Sequence, residues 1–176
     1  NPEEISTVIA ILNRYPVKEV IIHPRLGGQN YSGEPDHARF SKCLTHSKHP
    51  LVYNGNIFSI SDFHKVSLVH PEVNSFMLGR GILRNPFLAS QIKGFPLPDD
   101  PKTILYKFQR ELFENLLKDR GKGKYFPQGI KEFWSYLALS FDDPEQVFDQ
   151  IKRVNTTNEY LCVADKLFTN QQILIS

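Results

Sequence analysis

Three short segments of the sequence carry residue types that could bind a phosphate group or the edge of a flavin. Each joins an apolar run to a tip in which glycine stands beside Asn, His or Arg: residues 23–33 (HPRLGGQNYSG), 51–57 (LVYNGNI) and 77–87 (MLGRGILRNPF). Intervals of about 25–30 residues leave room for one helix each, which predicts a repeated strand–loop–helix pattern. Because ligand-binding groups gather at the carboxyl ends of parallel strands, we expect the three tips to lie together.

The tip formed by Gly79, Arg80 and Gly81 is the one best suited to a phosphate dianion. Two glycines expose backbone N–H groups, Arg80 contributes a rigid fork of donors, and a helix is expected to begin close behind. The alternative is a glycine-rich turn with an exposed arginine. The sequence contains neither a P-loop nor a GxGxxG pattern, which disfavours a nucleoside triphosphate site or a Rossmann fold.

The other two tips are consistent with the same kind of site. Asn54, Gly55 and Asn56 allow a close backbone approach and offer amide donors, although Asn-Gly is also a common tight-turn dipeptide. His23 and Arg25 stand two residues apart at a strand end, and their side chains therefore point to the same side while the strand lasts. A structural role for His23 is the alternative.

Two further groups of residues suggest weaker hypotheses. Cys43, His46 and His49 could share a helix face and bind zinc, but no second pair of ligands accompanies them, and we expect no metal site. A local basic loop could contact RNA phosphates, although such loops are more often simply solvated. Its basic members are Lys118, Arg120, Lys122 and Lys124, and Asp119 is the one acidic residue in this stretch of sequence.

Composition indicates a folded protein. The 176 residues are 40% hydrophobic and 12% aromatic, which suffices for a core and argues against disorder. A net charge of +2 gives no global sign of a nucleic-acid binder. No apolar run approaches a membrane span, and the N-terminus lacks a signal-peptide pattern. Cys43 and Cys162 form no CxxC motif and suit a reducing cytosol, so we expect a cytoplasmic protein without a membrane anchor.

The helices and strands that must position these tips are predicted from hydrophobic periodicity and from capping and helix-breaking residues. Strands are predicted near 18–23, 50–54 and 73–78, and helices over 2–14, 35–47, 59–69, 85–93, 104–117, 127–140, 144–153 and 157–168. A Pro/Asp segment, FPLPDDP, interrupts the helical pattern after Gly94. The predicted fold is α/β over 1–95, then a linker over 96–101 and an all-α helical bundle over 102–176.

Taken together, the three segments resemble the tRNA-dihydrouridine synthase family, FMN-dependent flavoenzymes built on a TIM barrel. The family's H-x-R-x-x-x-Q-x-Y-S-G, N-G-x-I and G-R-G-x-x-x-N-P patterns occur here in the same order and spacing. The matching residues are His23, Arg25, Gln29, Tyr31, Ser32, Gly33, Asn54, Gly55, Ile57, Gly79, Arg80, Gly81, Asn85 and Pro86, with Asp36 at the usual acidic position. The match covers roughly residues 1–93, and the three patterns together are more specific to the family than any one of them alone.

Two positions depart from the family's pattern, and a larger part is absent. Leu26 stands where a threonine is often found, and Asn56 replaces the acidic residue of an N-G-D-I form. A family member would have about five more barrel strands before Asn1, among them the loop with a proton-donating cysteine and a lysine that contacts the flavin. The resemblance therefore implies about three βα units from the C-terminal half of a barrel, followed by a helical domain. It assigns no catalytic residue to this chain.

The resemblance also implies a reaction and its participants. NADPH would reduce FMN, and the reduced flavin would exchange a hydride with the C5–C6 bond of a uridine flipped out of tRNA. His23 would lie near the flavin ring, Arg25 would face flavin or RNA, and Asn54, Gly55, Asn56, Gly79 and Arg80 would surround the ribityl chain and phosphate. The helical domain, with the basic loop of Lys118, Arg120, Lys122 and Lys124, would help to hold tRNA.

Two other functions stay open at the level of sequence. The chain could come from another FMN-dependent barrel oxidoreductase that acts on a small molecule, because phosphate loops after the last two strands are widely shared. It could also be a non-catalytic RNA-binding fragment, since the cysteine-bearing half of the barrel is missing. Three parallel strands would leave open edges, which makes a homodimer through those edges a further hypothesis.

Overall fold

The structure, a computed structural model, describes residues 4–29, 33–119 and 126–175. The chain divides into two compact units, Asn1–Gly81 and Ile82–Ser176, and each is described by itself. The predicted boundaries between folding domains, at residues 95 and 102, stay a prediction. No helix within the described ranges is long and apolar enough to cross a lipid bilayer.

The first unit contains a parallel three-stranded sheet. Its strands are β1 (Val20–Ile22), β2 (Leu51–Asn54) and β3 (Ser75–Met77), arranged in the order β1-β2-β3. Ile22 pairs with Tyr53, which in turn pairs with Phe76, so the three strands are in one register. The prediction of three parallel strands in these regions is confirmed, and each of them ends at one of the predicted tips.

Helices precede and separate the strands as the spacing predicts. They are α1 (Glu4–Leu12), α2 (His37–His46) and α3 (Ile60–Val69), with a short 3₁₀ turn at Gly27–Gln29. The side chain of Asp36 accepts the Arg39 N–H at the start of α2, and Ser59 accepts the Asp62 N–H at the start of α3. These are the N-cap hydrogen bonds that Asp and Ser favour because the first helical N–H groups lack intrahelical acceptors.

The helix predicted over 85–93 is replaced by two shorter ones. These are α4 (Arg80–Arg84) and α5 (Leu88–Ile92). The break falls at Asn85 and Pro86 because a residue before proline is disfavoured in helical conformation and proline offers no N–H. The Asn85 side-chain oxygen instead accepts the Phe87 N–H at 3.0 Å.

One face of the sheet is covered by helices, and the other has exposed side chains on its edge strands, although Val52 of the central strand is buried. Ile22 and Tyr53 are buried against the helical layer, where the ring of Phe40 in α2 meets the Tyr53 ring edge-on at 5.0 Å. On the opposite side, Ile21 is 51% exposed and Met77 is 43% exposed. Parallel sheets are normally covered on both faces, so this arrangement is compatible with one part of a barrel.

The second unit is helical. It contains α5, α6 (Pro101–Asp119), α7 (Gln128–Leu137), α8 (Pro144–Arg153) and α9 (Thr157–Asn170). Its core is rich in aromatic rings, among them the fully buried Trp134 and Tyr160. An isolated antiparallel bridge joins Phe141 to Ile173, and the described residues contain no strand after residue 105. The arrangement of these helices as a bundle stays a prediction.

Candidate functional site

The three predicted tips meet at one cavity in the first unit. The cavity has a volume of about 160 Å³ and lies where the chain leaves the carboxyl ends of β1, β2 and β3. Its lining residues are His23, Asn54, Gly55, Ile57, Phe58, Gly79, Arg80 and Gly81. Parallel strands bring these positions together because their carboxyl ends share one edge of the sheet.

Arg80 is the principal cation of this cavity and is held by the loop that follows β2. Its terminal nitrogen Nη2 donates a hydrogen bond of 3.2 Å to the side-chain oxygen of Asn56. Its guanidinium carbon lies 5.2 Å from the centre of the Phe58 ring, within the range of a cation–π interaction. Arg80 is also half-buried, so its charge is presented from a defined position rather than from a mobile side chain.

Two of the three glycines that line the cavity, Gly55 and Gly79, differ in what surrounds them. A Cβ atom on Gly55 would lie 2.4 Å from the phenol oxygen and ring edge of Tyr53, so only glycine fits there. A Cβ atom on Gly79 would meet nothing within 4 Å, and Gly79 has no left-handed backbone that would require glycine. The open space above Gly79 is the space that a closely approaching ligand would fill.

His23 stands at the rim of the cavity, after β1. Burial lowers its pKa below the ordinary value of 6.5, and the positive charges of Arg25 and Arg80 lower that pKa further. At neutral pH the imidazole is therefore uncharged, with one ring nitrogen that donates and one that accepts a hydrogen bond. A neutral imidazole of this kind can orient a polar ligand without adding a charge.

Arg25 has a different environment from Arg80. Its terminal nitrogen donates a 2.7 Å hydrogen bond to the backbone oxygen of Gly33, which closes the loop between β1 and α2. Arg25 also lines a second cavity of about 110 Å³ together with Cys43. Burial raises the pKa of the Cys43 thiol. Reactive cysteines have the opposite property, a lowered pKa at an accessible site.

A buried cluster behind β2 was not predicted from the sequence. His37 and His70 share a 2.9 Å hydrogen bond between Nδ1 and Nε2, and both rings pack on Tyr53. Burial raises the pKa of Tyr53 to about 12, and its hydroxyl has no hydrogen-bond partner. Nothing in the spacing of these residues signals the cluster, because each lies in a different segment of the chain.

The remaining predicted site residues are not brought together. His46 bonds to the carbonyl of Lys42, and His49 bonds to that of Leu12. No group of metal-binding side chains is found among the residues that the structure covers. Lys118 lies exposed near the end of α6. Several positions lie outside the described residues: Arg120, Lys122, Lys124, Tyr31, Ser32 and the side chain of Gln29.

Comparison with known proteins finds one family throughout. A sequence model of the dihydrouridine synthase family matches residues 2–172. A tRNA-dihydrouridine(16) synthase of Neisseria meningitidis serogroup A is 29% identical over 143 residues, which is 78% of this chain and 42% of that protein. A protein of the same name from Shewanella oneidensis is 30% identical over 121 residues, covering 66% of this chain and 36% of its own length. One from Vibrio parahaemolyticus is 24% identical over 160 residues, covering 88% and 48%. This chain thus spans less than half the length of these relatives.

Proposed function

The chain belongs to the dihydrouridine synthase family, and from that premise we propose that it is the C-terminal portion of a flavin-dependent tRNA-dihydrouridine synthase. The family's fold is a TIM barrel, with which the three-stranded parallel sheet is compatible. The observation that carries the proposal is the cavity in which Gly79, Arg80 and Asn54 meet. In this reading residues 1–95 are the end of the barrel, 96–101 a linker and 102–176 a helical domain.

The residues of the cavity fit the phosphate of FMN. Arg80 offers a guanidinium that matches the geometry of a phosphate and is already positioned by Asn56 and Phe58. The open space above Gly79 lets a phosphate approach the backbone closely. The cavity is small, which suits the phosphate end of the flavin and leaves the ring to be covered by other parts of the complete protein.

The chemistry of the reaction belongs to the cofactor, and the protein orients it. When bound and reduced by NADPH, FMN would supply a hydride to the C5–C6 double bond of a uridine, and a separate donor would supply the proton that completes the reduction. His23, neutral at the rim of the cavity, would donate or accept one hydrogen bond toward the flavin ring. Asn54 and Gly55 would border the ribityl chain, and Arg25 would support the loop beside it through its bond to Gly33.

Neither cysteine of this chain has the environment expected of the proton donor that the reaction needs. Cys43 is buried in α2, and burial raises its pKa. Cys162 is exposed in α9 of the helical unit, and it does not line the cavity of the first unit. We therefore propose that the 176-residue chain alone is inactive and that the proton donor lies in another part of the complete protein.

The substrate that we propose is tRNA. The relatives compared above are named for position 16, which favours uridine 16 as the target. The basic loop of Lys118, Arg120, Lys122 and Lys124 would contact tRNA phosphates, and Arg25 is a further candidate for contact with RNA. Such contacts would make tRNA affinity fall steeply with salt concentration. An enzyme with this substrate would act in the cytoplasm.

The proposal is tested by comparing two flavins. FMN and riboflavin share the ring and ribityl chain and differ only in the phosphate, so the ratio of their dissociation constants isolates the phosphate contribution. We expect the complete apoprotein to bind FMN at least tenfold more tightly than riboflavin, because charge-assisted contacts to an anion contribute about 1.5–3 kcal/mol. Equal affinities for the two flavins would reject the phosphate site.

A further inference from the structure

The loop between β2 and α3 is fixed at its far end by the start of α3. The backbone N–H of Phe58 donates a 3.2 Å hydrogen bond to the carboxylate of Asp62. The backbone N–H of Asp62 in turn donates to the Ser59 hydroxyl at 3.1 Å. These two hydrogen bonds connect Phe58 and Ser59 to the first turn of α3. The backbone that carries the Phe58 ring is therefore constrained.

Arg80 rests on this loop through two contacts of different kinds. The Phe58 ring lies beneath the guanidinium at 5.2 Å, and the Asn56 side-chain oxygen accepts from Nη2 at 3.2 Å. An arginine side chain loses up to about 2 kcal/mol of rotamer freedom when it is immobilised. The two contacts with the loop already restrict the Arg80 side chain, so less rotamer entropy is lost when a ligand binds.

We propose that Phe58 and Asn56 are positioning residues that hold the Arg80 guanidinium in its anion-binding orientation. The amide of Asn56 accepts one of the five guanidinium N–H donors without bringing a negative charge into the cavity. The Phe58 ring lies 5.2 Å from the guanidinium carbon and, because it has no hydrogen-bonding group, occupies none of the guanidinium donors. This inference rests on the proposed FMN phosphate site and names the residues through which that site is organised.

The experiment measures the dissociation constants of FMN and riboflavin for the complete apoprotein and its variants. Phe58→Leu removes the ring and keeps an apolar side chain, whereas Phe58→Tyr keeps the ring and serves as the matched control. We expect Phe58→Leu to weaken FMN binding about two- to fivefold and to leave riboflavin binding unchanged, since a cation–π contact at a partly exposed site contributes about 0.5–1 kcal/mol. Asn56→Ala should act in the same direction, and Phe58→Tyr should bind FMN as the wild type does.

A double-mutant cycle separates positioning from general damage to the fold. If Phe58 acts through Arg80, Phe58→Leu will have no further effect on FMN affinity in an Arg80→Ala background. Equal losses of FMN and riboflavin affinity in Phe58→Leu, or the same loss with and without Arg80, would overturn the inference. Those results would leave the proposed function standing as long as the wild type still prefers FMN. A wild type without that preference would instead reject the phosphate site itself.

Discussion

At the scale of single residues, Arg80 is the central candidate for phosphate binding. Its guanidinium lines the cavity at the carboxyl ends of the strands and contacts both Asn56 and Phe58. These contacts give the side chain a defined place without filling the cavity.

Arg80→Ala should weaken FMN binding by tenfold or more. This loss of affinity is expected because the substitution removes a charge-assisted contact that contributes about 1.5–3 kcal/mol to binding. Titration of the complete apoprotein with FMN measures it, with Arg84→Ala as the matched control. Arg84 is an exposed arginine at the end of the same short helix, and it does not line the cavity. Unchanged flavin occupancy in Arg80→Ala would remove this residue from the site.

Alanine substitutions at the two glycines should separate folding from binding. Gly55→Ala forces a methyl group against the buried Tyr53 ring and should lower the free energy of unfolding by about 1–3 kcal/mol. Gly79→Ala meets no neighbouring atom and should change stability by less than about 0.5 kcal/mol while weakening FMN binding. Denaturant unfolding and flavin titration on both variants are the measurements. Full FMN affinity in Gly79→Ala would contradict a close approach of the ligand.

At the scale of elements, local sequence rules predicted most of the secondary structure and the meeting of the three tips. Strand β1 is β-branched throughout, β2 contains Val52 and Tyr53, and α2 and α3 begin at the capping residues Asp36 and Ser59. The short helix α4 was missed because its second residue, Gly81, has low intrinsic helix propensity. The hydrogen bond between His37 and His70 was also missed, since periodicity carries no information on contacts between distant segments.

The histidine at the end of α3 should make the first unit sensitive to acid. Burial, and then the neighbouring His37, lower the pKa of His70 below 6.5, with a smaller opposing effect from Glu72. As pH falls through 6.5, the unfolded chain takes up a proton that the folded chain resists, so the free energy of unfolding decreases. His70→Phe should therefore show a flatter dependence on pH between 7.5 and about 5.5 in denaturant titrations.

The matched control for this experiment is His64→Phe. His64 is an exposed histidine of the same helix, so its replacement should leave the pH dependence as it is in the wild type. The account of the His37–His70 pair would fail if His70→Phe kept the full dependence on pH, or if His64→Phe removed it.

In the helical unit, stability should depend on a buried tyrosine that links α6, α7 and α9. The Trp134 indole N–H donates to the Tyr160 hydroxyl at 3.0 Å, and that hydroxyl donates to the side chain of Gln109. Tyr160→Phe leaves two buried polar groups unpaired and should cost about 1–3 kcal/mol of unfolding free energy. Tyr106→Phe makes the same change at a hydroxyl that bonds to the exposed Asp165, and it should cost less than about 0.5 kcal/mol. Equal losses of unfolding free energy in the two variants would show that the buried hydrogen bonds of Tyr160 stabilise the unit no more than the exposed one of Tyr106.

At the scale of the whole molecule, the first unit shows a sheet with one face that is only partly covered. Ile21 and Met77 are exposed on that face, and this chain aligns with less than half the length of its relatives. Parallel sheets are stable when both faces are covered. The account assigns the cover to further barrel strands of a complete synthase, and pairing of two copies through the open edges stays a separate prediction.

The central claim is that this chain is the C-terminal portion of a tRNA-dihydrouridine synthase and lacks the proton donor. The most direct measurement is dihydrouridine formation on unmodified tRNA with FMN and NADPH, mapped by position, for the complete protein and for the 176-residue chain. The account predicts dihydrouridine at position 16 with the complete protein and none with the chain alone. Uridine left unreduced by the flavin-loaded complete protein would contradict the assignment. Turnover by the chain alone, abolished by Cys43→Ala or Cys162→Ala, would contradict the placement of the proton donor outside it.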